Sequence, residues 1–169
     1  MLIETSYDQS LTEINKNLPQ GAFLTVQDDK QKNTMTIGWA LIGYIWRVPV
    51  IQVMVRQTRH TYQIIENTDE FTVSFVFDDR MKKELSFCGT KSGRNYNKFQ
   101  ECNLDTISSK EVQPPLIKNC DFHYECKIKH KQELKRENMS TDIIDSCYKN
   151  NNLHTLYYGE IVKSYQEDN

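Results

Sequence analysis

The sequence predicts a mainly β protein, an antiparallel barrel with short helices at its corners, and two observations carry that reading. Seven or so segments alternate or cluster apolar residues with the period that strands need, while the helical patterns between them are short. Aromatic residues make up 11% of the chain, with nine Tyr and seven Phe, a usage that favours pleated surfaces over helical bundles. At 169 residues the chain is expected to form one domain, residues 1–169, with room for a real core.

Taken in order, Leu11, Ile14 and Leu18 share one face of a short helix that Pro19 ends. Gly21 admits a strand in which Ala22, Leu24 and Val26 alternate with Phe23, Thr25 and Gln27. The polar run from Asp28 to Asn33 predicts a hairpin loop, and Met35, Ile37 and Trp39 form the returning strand. A loop is expected from Leu41 to Val48; Pro49 then opens the β-branched run Val50 to Val55. Tyr62, Ile64 and Ile65 suit one face of a short helix, and Phe71, Val73, Phe75 and Phe77 one face of a strand. Asp78 or Asp79 can cap the next helix, which carries Met81 and Leu85 and ends at Cys88-Gly89. A glycine-containing cationic loop runs from Thr90 to Phe99, and Pro114-Pro115 blocks helix after it. A long strand from Phe122 to Lys131 follows, then a helical turn begun by Ser140 or Thr141, a turn over residues 149–152, and a last strand from Leu153 to Val162. The tail, Glu167 to Asn169, is expected to fray.

Charge and composition exclude several classes. Twenty-one basic against 23 acidic side chains leave a net charge of −2, without the basic surplus of a nucleic-acid binder. Lys127, Lys129 and Lys131 share one strand face, which reads as a solvated barrel face. The longest apolar run, Trp39 to Trp46, is far below the ~20 residues that span a bilayer. With no signal-peptide pattern at its start, the chain is expected to be soluble and cytoplasmic. Five cysteines without a Cys-x-x-Cys pair read as free thiols, and His60, His123, His130 and His154 are too scattered for a metal site.

Chemistry concentrates where the Val50 to Val55 strand stops. Arg56, Thr58, Arg59 and Thr61 crowd into six residues before a helix start, whose outward N–H groups and guanidinium forks suit a phosphate. The same residues serve equally well as a helix cap with solvated arginines.

The order of these features resembles the flavin reductase-like family of FMN-binding split β-barrels, which includes the flavoredoxins. The resemblance is carried by Asn33-x-Met35-Thr36-Ile37-Gly38-Trp39, Pro49 with its apolar strand, Arg56-x-Thr58-Arg59-x-Thr61-Tyr62 and Glu70-Phe71-Thr72-Val73-Ser74, and it spans roughly Leu18 to Val162. It implies a Greek-key barrel, bound FMN and a homodimer with the flavins at its interface. On it, Arg56, Thr58, Arg59 and Thr61 hold the phosphate, backbone groups of Thr36, Ile37, Gly38, Trp39 and Ala40 line the ring, and Ser92, Gly93 and Lys98 close the other side. His154, five residues before Gly159, is similar to the histidine that faces the nicotinamide in NADH-dependent members. The chain departs from that pattern where Asn152-Leu153 replaces a frequent Gly-Asp pair. The expected activity is electron transfer from NADH or NADPH through FMN to a small-molecule or protein acceptor. Two alternatives are a flavoredoxin-type carrier and a cofactor-free barrel. Tyr44 and Trp46 can stack on the flavin, meet a second subunit or fill the core; the sequence does not separate these.

Overall fold

A computed structural model describes residues 1–168. In chain order come β1 (Leu2–Glu4), α1 (Leu11–Asn17), β2 (Ala22–Gln27), β3 (Lys32–Ile37), β4 (Ala40–Ile45), β5 (Val48–Arg56), α2 (His60–Ile65) and β6 (Glu70–Phe75). They are followed by α3 (Lys82–Thr90), α4 (Lys98–Glu101), β7 (Thr106–Ile107), β8 (Leu116–Ile117), β9 (Phe122–Glu133), α5 (Thr141–Cys147) and β10 (His154–Glu167).

The main sheet is ordered β3-β2-β6-β9-β10-β5-β4, with β1 added to the far end of β10, and every pairing is antiparallel. Its two edge strands, β3 and β4, are consecutive in the chain and joined only by Gly38 and Trp39. Three peptide steps span at most about 11 Å, so the sheet must curl until its edges almost meet. No ladder joins β3 to β4 among the described residues, and the result is a barrel split along this seam. The seam is where the site lies.

Inside the barrel, Leu24, Ile51, Val53, Phe71, Tyr124 and Tyr157 are fully buried. Gly159 on β10 is required there: a Cβ would stand 2.5 Å from the Phe71 ring and 3.0 Å from Cys126 Cβ. A second core lies outside the barrel, where Phe23 packs with Met81, Leu85, Cys88, Leu104, Ile117 and Cys120 under α3 and the segment after it. Strands β2 and β6 and the first part of β9, Phe122 to Cys126, are therefore covered on both faces, and their buried polar residues are paired. Thr25 Oγ1 bonds Thr34 Oγ1 at 3.1 Å, Thr72 Oγ1 donates to Pro115 O at 2.7 Å, and Glu125 accepts from the N–H groups of Lys110 and Glu111.

Several expectations need correction. The segment from Leu41 to Val48 is not a loop: it is mostly strand β4, joined to β5 by a two-residue turn at Trp46 and Arg47, both with positive φ (55° and 66°). The loop before β3 is shorter than predicted, because Asp28 Oδ1 accepts from the N–H groups of Lys30 and Gln31 and the strand starts at Lys32. Strand β3 stops at Ile37, which leaves Trp39 in the seam, and β6 stops at Phe75. Helix α3 continues to Thr90, and β10 continues past Val162 to Glu167. Glu167 is buried, pairs with Leu2 of β1, and lies 3.3 Å from His123 Nε2. That pairing replaces the expected frayed tail through Asp168, whose carbonyl accepts from the Met1 amino group. No helix among the described residues is long and apolar enough to cross a membrane. Lys129 and Lys131 are each held by a carboxylate, Glu160 and Glu66, at 2.9 Å.

Candidate functional site

Two concavities meet at the seam. The first, about 200 Å³, is lined by Met35, Thr36, Ile37, Gly38 and Trp39 from β3 and the seam, Met54 and Arg56 from β5, Arg59, and His154 from β10. The second, about 150 Å³, shares Met35 and Arg59 with it and continues past Asn33, Thr58, His60 and Thr61 to the segment from Cys88 to Arg94 and to Lys98. No carboxylate lines either one.

The short loop between β5 and α2 builds the cationic side. Arg59 N donates to Arg56 O at 2.9 Å and turns the chain, and α2 then begins without any capping side chain. Tyr62 N donates to Arg59 O at 3.1 Å, and the His60 and Thr61 N–H groups have no acceptor within the helix. Opposite stands the loop after α3, where Arg94 Nη1 donates to Thr58 O at 3.1 Å and ties the two loops together. Gly93 packs where nothing larger fits: a Cβ would lie 2.3 Å from Asn33 Oδ1 and 2.8 Å from His60 Cδ2. His60 Nδ1, in the same wall, is shielded from solvent and has no partner in the protein.

The predicted residues divide by what already holds them. Thr36, Ile37, Gly38, Trp39, Arg56, Arg59 and His154 line the first concavity, and Thr58, Arg59, Thr61, Ser92, Gly93 and Lys98 the second. Ala40 lines neither; it opens β4 opposite Val53 and packs on the core. Arg56 directs its fork to Asn152 O and to Cys147 O at 3.1 Å, with its guanidinium 5.2 Å above the Tyr148 ring. Lys98 is buried and donates to Thr34 O at 2.9 Å and Cys88 O at 2.7 Å, and the cost of burying its charge lowers its pKa. Thr61 Oγ1 accepts from Asn33 Nδ2 at 2.9 Å, and Thr58 Oγ1 is bonded to the Asn152 amide. Arg59 is the exposed cation at the junction; its guanidinium donates a long 3.5 Å hydrogen bond to Gly89 O.

His154 is nearly buried, and Tyr148 Oη lies 2.8 Å from its Nδ1. Burial first, and the Arg56 and Arg59 charges second, lower its pKa to about 4. The ring is thus neutral at physiological pH, one nitrogen donating and the other accepting. Burial raises the Tyr148 phenol, which stays protonated. The Trp39 ring stands 5.5 Å from the imidazole, tilted across the first concavity.

Sequence reasoning left Arg94, Met35, Met54, His60 and Tyr148 without a role in the site. Arg94 followed the Ser-Gly step in a loop already read as cationic, and Met35 lay in the quoted strand motif. Tyr148 gave no signal, because only the fold of the α5–β10 turn brings it beside a strand residue.

The molecule is thus a split antiparallel barrel whose seam joins a slot of mixed polar and apolar lining to a cationic pocket. The pattern of the flavin reductase-like domain matches residues 17–169, and the chain belongs to that family. An uncharacterised protein of Archaeoglobus fulgidus is 27% identical over 144 residues, 85% of this chain and 71% of that protein. Among solved structures, the flavoredoxin of Methanosarcina acetivorans superposes with a TM-score of 0.70 at 22% identity, covering 88% of this chain and 68% of its own. The NADH:FAD oxidoreductase of Streptomyces globisporus C-1027 gives 0.68 at 18%, covering 87% and 75%. These likenesses show that the chain shares their fold.

Proposed function

We propose that the chain is an FMN-binding oxidoreductase that moves electrons from NADH or NADPH through the flavin to a small-molecule or protein acceptor. The observation that carries this reading is the joined pair of concavities, a slot lined by Met35, Ile37, Trp39 and Met54 together with Thr36, Arg56, Arg59 and His154, beside a carboxylate-free cationic pocket. FMN has a matching pair of ends, a flat and largely apolar ring and a doubly charged phosphate. The pocket fits that phosphate in two respects: an unpartnered His60 Nδ1, and donors without a competing acid.

The bound flavin would supply the two-electron chemistry, and the protein position and electrostatics. Arg59 and Arg94, with the Thr58 and Ser92 hydroxyls, would hold the phosphate. Arg56 acts one step back, pinning the turn at residues 147–152 that carries Tyr148 and so orienting His154. Trp39 and the backbone from Thr36 to Gly38 would flank the ring, and neutral His154 would offer one nitrogen to nicotinamide or to a proton in transit. Trp39, Leu41, Tyr44, Ile45 and Trp46, all substantially exposed, support a homodimer closed over this face. We assign the protein to the cytoplasm.

An absorption spectrum of the purified protein, before and after anaerobic NADH or NADPH, tests this. A flavin spectrum that bleaches within seconds is expected; a colourless protein that takes up no FMN contradicts it. A flavoredoxin-type carrier has one observation in its favour. Asn152-Leu153 stand where a Gly-Asp pair is frequent in NADH-dependent members, and Asn152 is tied to Thr58 and Arg56. Bleaching only by a reduced protein donor would select that reading.

A further inference from the structure

A neutral imidazole carries one proton, so its two nitrogens do opposite things, one donating and the other accepting. At His154 they face different surroundings. Nδ1 lies 2.8 Å from Tyr148 Oη, while Nε2 has no partner among the described residues and is not shielded from solvent. The His154 ring lines the first concavity and Tyr148 does not. Nε2 is therefore the nitrogen presented to the slot, with the Trp39 ring 5.5 Å from the imidazole.

The hydrogen-bond network decides which nitrogen holds the proton. Tyr148 is buried, and Nδ1 is the one acceptor its hydroxyl meets among the described residues. A proton on Nδ1 would donate to Tyr148 Oη and leave the phenol proton buried without an acceptor, an arrangement that loses more than one hydrogen bond gains. With the phenol donating instead, both groups are satisfied and the imidazole proton stands on Nε2. Burial acts in the same direction, keeping the phenol protonated and the imidazole neutral. Tyr148 is also held in place. Arg56 donates to the carbonyls of Cys147 and Asn152 on either side of it, and Arg136 Nη1 donates to the carbonyl of Tyr148 itself at 3.0 Å. No carboxylate lines the slot to draw the Nε2 proton away.

We propose that Tyr148 is a positioning residue that fixes His154 as a hydrogen-bond donor toward the slot, which thereby selects electron acceptors presenting an uncharged oxygen, such as a quinone carbonyl. His154 is then a donor and not a base. The selection of an acceptor rests on flavin binding at the seam, whereas the Tyr148–His154 arrangement does not.

The test has two arms, both on the full chain. In the first, imidazole nitrogen resonances of the ¹⁵N-labelled protein without flavin are recorded at neutral pH for the native chain and Tyr148→Phe. The native His154 proton is expected on Nε2, with Nδ1 shifted as a hydrogen-bonded acceptor, and Tyr148→Phe should move Nδ1 toward an unbonded nitrogen. A native proton on Nδ1, or an Nδ1 resonance unmoved in the variant, overturns the proposal; should the variant not fold, the native spectrum alone decides. In the second arm, the FMN-loaded, reduced protein is reoxidised by menadione, whose carbonyls accept hydrogen bonds, or by ferricyanide. One hydrogen bond is worth roughly fivefold in rate or affinity. The ratio of menadione to ferricyanide rates should therefore fall about fivefold in His154→Leu and recover in His154→Gln, whose amide restores a donor. An unchanged ratio in His154→Leu, or no recovery in His154→Gln, overturns the selection. Absence of FMN binding with the expected nitrogen spectrum rejects the flavin reading and upholds the Tyr148–His154 arrangement.

Discussion

His154 is kept neutral by its surroundings, and that has a signed consequence for stability. Its pKa of about 4 lies below the ordinary histidine value. Between about 4 and about 6.5 the unfolded chain therefore binds a proton that the folded chain refuses. Stability should rise with pH across that window and level off above it. His154→Gln is expected to flatten this part of a plot of Tm against pH; an unchanged acid limb would place the titration elsewhere. At Gly93 the constraint is steric, because a methyl group would collide with Asn33 and His60. Gly93→Ala should cost roughly 1–3 kcal/mol in urea denaturation and weaken flavin binding. Arg56 and Arg59 look interchangeable in sequence. What separates them is the turn at residues 147–152, about 90 residues away, whose carbonyls capture Arg56 and leave Arg59 exposed.

At the scale of elements, the β4–β5 hairpin carries local strain. Trp46 and Arg47 both adopt positive φ, a conformation that costs non-glycine residues about 1–2 kcal/mol each. Trp46 recovers contacts, lying 5.9 Å from the Tyr158 ring and 6.0 Å from His130. Arg47 makes no comparable packing, so Arg47→Gly should stabilise the protein by about 1 kcal/mol in chemical denaturation. The same hairpin shows why part of the fold was hard to read. Strands with an interior face, such as Leu24 and Val26 or Phe71 and Val73, follow the alternation that burial imposes and were legible. Strand β4 turns Leu41 and Ile45 outward, so its pattern mimics neither a half-buried strand nor a polar loop. The ends of β10 and β1 were missed because each is defined only by its partner, 160 or so residues away. At the site, the motif residues of β3 and of the β5–α2 loop were visible, whereas Tyr148 and the capture of Arg56 and Lys98 by carbonyls depend on tertiary contacts.

For the whole molecule, barrel curvature and the site have one origin. The sheet curls far enough for β3 and β4 to meet at Gly38-Trp39, and the gap left there is the slot itself. Gly159 lets Phe71 fill the interior, so Gly159→Ala should destabilise the fold by roughly 1–3 kcal/mol. If the exposed apolar face of β4 closes a homodimer, the Leu41→Asp and Ile45→Asp pair should shift sedimentation to the monomer, with its circular dichroism unchanged. The most direct measurement is FMN affinity of the native chain against Arg59→Ala with Arg94→Ala. A loss of about a hundredfold is expected, as two charge-assisted contacts of about 1.5 kcal/mol each would give, while melting changes little. Native-like FMN affinity in the double variant would contradict a phosphate held between these two loops.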